Sequence, residues 1–187
     1  MSLPPWRTEG LVFTCQACGA CCIGDGFAYL CPDDVDRLAD GLGCTRQELA
    51  DGYLAPLEVR FDDGEVLPYL VLRKDAGGRC VFLNDEGRCG VHAFKPGQCK
   101  DSPCIPEFLC DEENYHAFAS VCPGLGVGPA VPPGALRVLV ERHATRQLAY
   151  EEALEACGGD LAVLYRVTLP KKPWLGGRGC EVDTHHE

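Results

Sequence analysis

The sequence predicts a small, loop-rich α+β domain, with short hairpins and helices around a cysteine-rich centre and further helices at the C-terminal end. Three observations predict it. Fourteen cysteines fall in 187 residues, four of them in the run Cys15-Gln16-Ala17-Cys18-Gly19-Ala20-Cys21-Cys22. Alternating and helical apolar patterns both occur, in short stretches. Between residues 96 and 133 the chain is dense in Pro and Gly. A chain of this length buries a core of its own, so the cysteines are not needed to rescue a mini-protein.

Residues 1–12 read as a lead-in strand or arm, and 13–31 as a loop broken by Gly19, Gly24 and Gly26. Pro32 suits a first helical turn, with Asp33 and Asp34 at the positive end of the dipole. Val35, Leu38, Ala39 and Leu42 supply the apolar stripe, and Gly41 and Gly43 the stop. Thr45-Arg46-Gln47-Glu48 is a capping box for a second short helix toward Leu54. Leu57 to Phe61 alternates as a strand; Asp62-Asp63-Gly64 turns it, and Glu65 to Arg73 returns, with Pro68 favouring a sheet edge.

A second hairpin is expected from Cys80-Val81-Phe82-Leu83 through Asn84-Asp85-Glu86-Gly87 to Arg88-Cys89-Gly90-Val91-His92. Residues 96–133 read as irregular, and a long irregular stretch needs an organiser, for which a metal centre is suited. Helices are expected at Ala135–His143 and Thr145–Cys157, stopped by Gly158-Gly159, and again from Asp160. The division expected is a cysteine-rich domain over 1–133, a helical extension packed on it over 134–170, and a flexible tail over 171–187.

The formal charge of −11 disfavours the phosphate backbone of nucleic acids and speaks mainly to solubility. The first residues carry no apolar signal-peptide core, and no apolar run approaches the ~20 residues of a membrane span. The expectation is a cytoplasmic protein in a reducing milieu, with no nucleic acid or membrane partner and with a protein partner left open.

Three thiols spaced C-x2-C-x2-C converge on one point from a tight loop. That spacing opens bacterial-type cluster loops, but the usual x3-C-P continuation is missing. C-x2-C is equally half of a zinc site closed by a second pair further along. A disulfide framework is disfavoured by the reducing milieu. Neighbouring side chains diverge, so Cys21 and Cys22 together imply two metals close by or a second site. Two four-thiolate sites need eight cysteines: Cys15, Cys18, Cys21, Cys22, Cys80, Cys89, Cys99 and Cys122, with Cys104 as the main substitute. Cys44, Cys110, Cys157 and Cys180 read as buried small hydrophobes, with Cys31 undecided. His92 and His116 are candidate ligands, although a lone histidine more often plays a structural or surface role; His185-His186 lie in the tail, where they could bind metal adventitiously, and Asp101, after Cys99 in a loop, is placed to support a ligand from behind. No H-E-x-x-H, P-loop or G-x-S-x-G is present, and Gly124-Leu125-Gly126-Val127-Gly128 lacks the dinucleotide fingerprint.

Phe13-Thr14-Cys15-x2-Cys18-Gly19-x-Cys21-Cys22 resembles the opening of the CxxCxxCC cysteine-cluster family, described as zinc- or iron-chelating domain proteins. The resemblance continues through Cys80-Val81-Phe82-Leu83, Cys89-Gly90-Val91-His92, Lys95-Pro96-Gly97-Gln98-Cys99-Lys100-Asp101-Ser102-Pro103 and Cys122-Pro123-Gly124. Departures are Lys95 and Lys100 where arginine is usual, His92 where tyrosine is usual, and Ser102 where an aromatic is usual. The resemblance implies a zinc or iron–sulfur centre held by Cys15, Cys18, Cys21, Cys22, Cys80, Cys89, Cys99 and Cys122. A similar module occurs in the flagellin lysine-N-methylase family, which implies methyl transfer for some members. Three functions stay open: a metal-binding protein, an iron–sulfur oxidoreductase or methyltransferase-like modification enzyme, and a non-catalytic metal-handling or interaction module.

Overall fold

The fold is mixed α+β, seen in a computed structural model that describes residues 9–24, 26–60, 64, 66–109 and 112–169. The expectations for the Asp62-Asp63 turn positions, Cys110, Cys180, His185-His186 and the tail lie outside these residues. Two antiparallel two-stranded sheets carry the strands: β1 (Leu11–Phe13) pairs with β4 (Leu125–Val131), and β2 (Leu54–Arg60) with β3 (Val66–Leu72).

Local signals explain the first helices. Helix α1 (Pro32–Leu42) has Pro at its first position and two acids in its first turn, and Gly43 ends it at φ +68°. Gly41 does not stop the helix. It lies inside α1, where an added Cβ would meet the ring of Phe94, with Cγ 2.5 Å away, so it permits a close approach. In α2 (Arg46–Tyr53), the Thr45 side chain accepts from the Glu48 N–H at 3.2 Å while Glu48 accepts from Thr45 N at 2.8 Å. The β2–β3 hairpin runs in register from Leu54↔Leu72 to Arg60↔Val66. Pro68 stands opposite Glu58 on a strand with one strand partner, which a missing N–H tolerates.

Three expectations need correction. The stretch 80–92 is not a pair of strands: tight turns place one bridge, Leu83↔Cys89, and a second, Lys74↔Cys80. Residues 96–133 are not irregular. They form α3 (Gly97–Asp101), α4 (Pro106–Leu109), α5 (Glu112–Val121) and β4. Pro106 opens a helix rather than breaking one, and β4 is built where Gly124 and Gly128 come too close to Thr14 for a side chain. The two helices expected after 134 are one, α6 (Pro133–Ala156). Thr145 donates its hydroxyl to the Glu141 carbonyl at 2.8 Å and stays in the helix instead of capping a new one. The short helix from Asp160 is present as α7 (Leu161–Tyr165), and Asp160 caps it by accepting from Ala162 N at 2.8 Å.

The main core joins α1, α2, the β2–β3 hairpin and residues of α6 and α7: Leu30, Val35, Leu38, Leu49, Leu54, Leu70, Tyr150 and Tyr165 are almost wholly buried. Tyr69 and Tyr150 stack at 4.7 Å, and buried hydroxyls find partners, Tyr165 donating to Leu30 O and Tyr150 to Pro68 O, each at 2.5 Å. Asp34 is buried and fully engaged. It pairs with Arg37 and with Arg146 of α6, and accepts from Cys31 N and Gly97 N. A smaller core under β1 and β4 contains Leu11, Cys104, Leu109 and Leu136. Among the described residues no helix is long and apolar enough to cross a membrane.

Candidate metal centre

Between the two cores the chain leaves a cavity of about 270 Å³. Its walls contain Cys15, Cys18, Cys21, Cys22, Cys80, Cys89, Cys99 and Cys122, so all eight sequence-selected thiols face one space.

Each arrives by local geometry. After β1, Ala17 takes φ +52° and Gly19 φ +74°, which turns the Cys15–Cys18 loop back on itself. Gly19 leaves no room for a side chain: a Cβ would overlap the Gly87 carbonyl and come within 2.5 Å of the Leu83 methyl. The loop therefore docks against the 83–89 turn. A 3-10 turn over Ala20–Cys22 then presents the two neighbouring thiols, with Cys22 N bonded to Gly19 O at 2.9 Å. Cys80 is tied to this turn through its N–H on the Cys22 carbonyl at 2.7 Å. Cys89 ends the bridge to Leu83, Cys99 lies in α3, and Cys122 follows α5, its N–H on Phe118 O at 3.0 Å.

The thiols divide by environment. Cys15, Cys18 and Cys21 are exposed, whereas burial pushes Cys99 up to about 12 from an ordinary 9.0. The hydrogen bond from Cys22 holds Cys21 down at about 6, against a burial cost and with help from Lys95 and Lys74. Cys22 also bonds Cys80, which is lowered to about 7, and Cys22 itself is raised by these two bonds first. Cys22 thus stands between Cys21 and Cys80, in hydrogen-bond contact with both. Cys89 is raised, chiefly by burial.

Two cations border the cavity that sequence reasoning did not single out for this role. Lys95 Nζ stands 3.7 Å from Cys15 Sγ, and Lys74 donates to Gly24 O at 2.7 Å with its ammonium 5.6 Å from the centre of the Phe27 ring. Both offset thiolate charge. His92 also reaches the cavity, with Nε2 3.6 Å from Cys15 Sγ. Apolar side chains share the lining: Phe27, Phe82, Ile105, Phe108 and Phe118.

Other candidates fall elsewhere. Cys104 is buried in the smaller core and does not line the cavity, so it does not substitute for a ligand there. Cys44 packs against the main core. Cys157 caps α6, and His116 stands exposed on α5, 3.7 Å from Glu112. Asp101 does not back the thiols; it is buried against α6, paired with Arg142. Cys31, Asp33 and Asp34 bring their ligand atoms within 4.8 Å of one another. Arg37 and Arg146 pair with both carboxylates, so that group is an ion-pair cap rather than an open cation site.

The thiol cavity fits a thiophilic metal on its own chemistry. Soft sulfur donors dominate, and among the described residues no carboxylate lines it, which suits zinc or iron–sulfur and not magnesium or calcium. Comparison with protein families agrees: residues 14–123 match the CxxCxxCC model, a putative zinc- or iron-chelating domain. The chain belongs to the CxxCxxCC family. The matched segment begins at the lead-in to Cys15 and ends just after Cys122, so this CxxCxxCC domain contains every wall of the thiol cavity except Gly124 and Phe13. No curated protein and no solved structure gave a significant match.

Proposed function

We propose that this CxxCxxCC protein is a cytoplasmic metal-binding protein that holds zinc or an iron–sulfur cluster through Cys15, Cys18, Cys21, Cys22, Cys80, Cys89, Cys99 and Cys122. The observation that carries it is the convergence of these eight thiols, from five separate stretches of chain, on one cavity without carboxylates. Bound metal supplies positive charge and orders the loops that reach it. The chain's own residues prepare for it: Cys21 and Cys80 lean to the thiolate form, and Lys74 and Lys95 offset their charge. Cys22, Cys89 and Cys99 give up protons when they ligate, so loading acidifies the medium.

Anaerobic purification followed by visible absorbance and elemental analysis tests the reading. Broad visible absorbance with iron and sulfide selects the cluster, and a colourless protein with stoichiometric zinc selects zinc. A protein that retains neither, or whose metal content is unchanged by Cys18→Ser and Cys80→Ser together, overturns the proposal.

The apolar part of the lining favours one second reading, an enzyme that binds an organic substrate or cosubstrate beside the centre. A colourless, substitution-inert centre that accepts no added thiol or imidazole as a ligand would exclude it in favour of a closed structural or metal-handling site.

A further inference from the structure

We propose that His92 is a metal ligand, so that the cavity holds a mixed sulfur–nitrogen site in which His92 and Cys15 are co-ligands. The inference rests on the metal-binding reading above and goes beyond its all-thiolate donor list. Cys15 Sγ and His92 Nε2 lie 3.6 Å apart across 77 residues of sequence. Ligand bonds of about 2.3 Å to sulfur and about 2.0 Å to nitrogen at a tetrahedral angle set those two atoms about 3.5 Å apart. The observed separation is therefore the one that two ligands of a single zinc-like ion require.

The local fold supports this pairing. Cys89-Gly90-Val91-His92 has the spacing of a C-x2-H ligand pair, as Cys15-Gln16-Ala17-Cys18 has that of a C-x2-C pair. The chain folds that pair to one side, since His92 N–H reaches back to the Cys89 carbonyl at 3.3 Å and starts a 3-10 turn. Gly19, with no side chain, lets the Cys15–Cys18 loop dock on the 83–89 turn. Cys22 is hydrogen-bonded to Cys21 and Cys80, while Cys15 has His92 and Lys95 beside it.

Cobalt(II) added anaerobically to the full chain, stripped of metal, is the probe. The expected result is that His92→Ala shifts the ligand-field absorbance of the bound cobalt. It should also speed loss of that cobalt to a chelator by about tenfold or more. His92→Cys should restore retention, with absorbance moved toward an all-thiolate pattern. His92 is exposed at the cavity mouth, and circular dichroism of both variants should match that of the parent. Unchanged absorbance and retention in His92→Ala would overturn the histidine assignment alone. A parent chain that binds no cobalt, zinc or iron would overturn the metal-binding reading and this inference with it.

Discussion

The main core and the thiol cavity are built on opposite principles. Around α1 and the β2–β3 hairpin, side chains such as Leu38, Leu54 and Leu70 are fully buried, and helix caps and a seven-pair strand register fix the backbone. Around the cavity, residues 15–24 and 78–92 make bridges and single turns, and three of the thiols stand exposed. Apolar burial of about 1.5–3 kcal/mol per large side chain holds the first region without any ligand. The second has little such burial and a surplus of converging sulfur. The difference predicts that hydrophobic packing holds this chain without a metal, and that bound metal would order its loops.

Metal removal should break the comparison most sharply. Chelation of the loaded protein should cost the loops at 15–24 and 78–92 their amide-exchange protection, a loss of up to about 10 kcal/mol of binding-linked stability. Amides of Leu38 and Leu70 should stay protected; simultaneous loss at both places would refute the division. Leu38→Ala should cost about 2–5 kcal/mol in the metal-free and the loaded protein alike, read by denaturant unfolding.

Gly19→Ala should cost about 1–3 kcal/mol, felt as weaker metal retention with the metal-free unfolding midpoint of the main core unmoved. Alkali should act more weakly and on both regions. Cys99 is raised to about 12 and Cys31 and Cys104 to about 11, each chiefly by burial. Between pH 9 and 11 the unfolded chain gives up these protons while the folded chain keeps them, so the stability of the metal-free protein should fall as pH rises through that window. Stability rising there in a pH series of melts would contradict the burial of these thiols. The smallest effect is expected at Cys157, where Ser should leave metal content unchanged and stability within about 0.5 kcal/mol.

Legibility in the sequence followed the same divide. Pro32, the Thr45–Glu48 box and Asp160 announce helices through short-range chemistry, and all three sit where that chemistry puts them. The eight cavity thiols were legible from spacing and family resemblance together. Helix α5 and strand β4 were not. The Pro and Gly around them read as breakers, yet Pro106 starts a helix and Gly124 and Gly128 serve the close approach of Thr14, a long-range constraint that no local window contains. His92 was read as a lone histidine because its partner, Cys15, is 77 positions away. Lys74 carries no motif, and Lys95, though it stands in the family motif, is 80 positions from Cys15, so only the fold brings them to the thiols.

Asp34 gives the chain a boundary that its cysteines do not. The family segment stops at residue 123, and a fragment cut there would retain every one of the eight thiols. It would lose Arg146, which pairs with the fully buried Asp34 carboxylate, and with it Tyr150, Leu154 and Tyr165 from the main core. Asp34 would remain under Gly97 N, two residues from Cys99, with half its countercharge gone. Stripping one partner from a buried ion pair costs about 3–5 kcal/mol. The shortest piece of this protein that can grip a metal is therefore longer than the piece that supplies the grip.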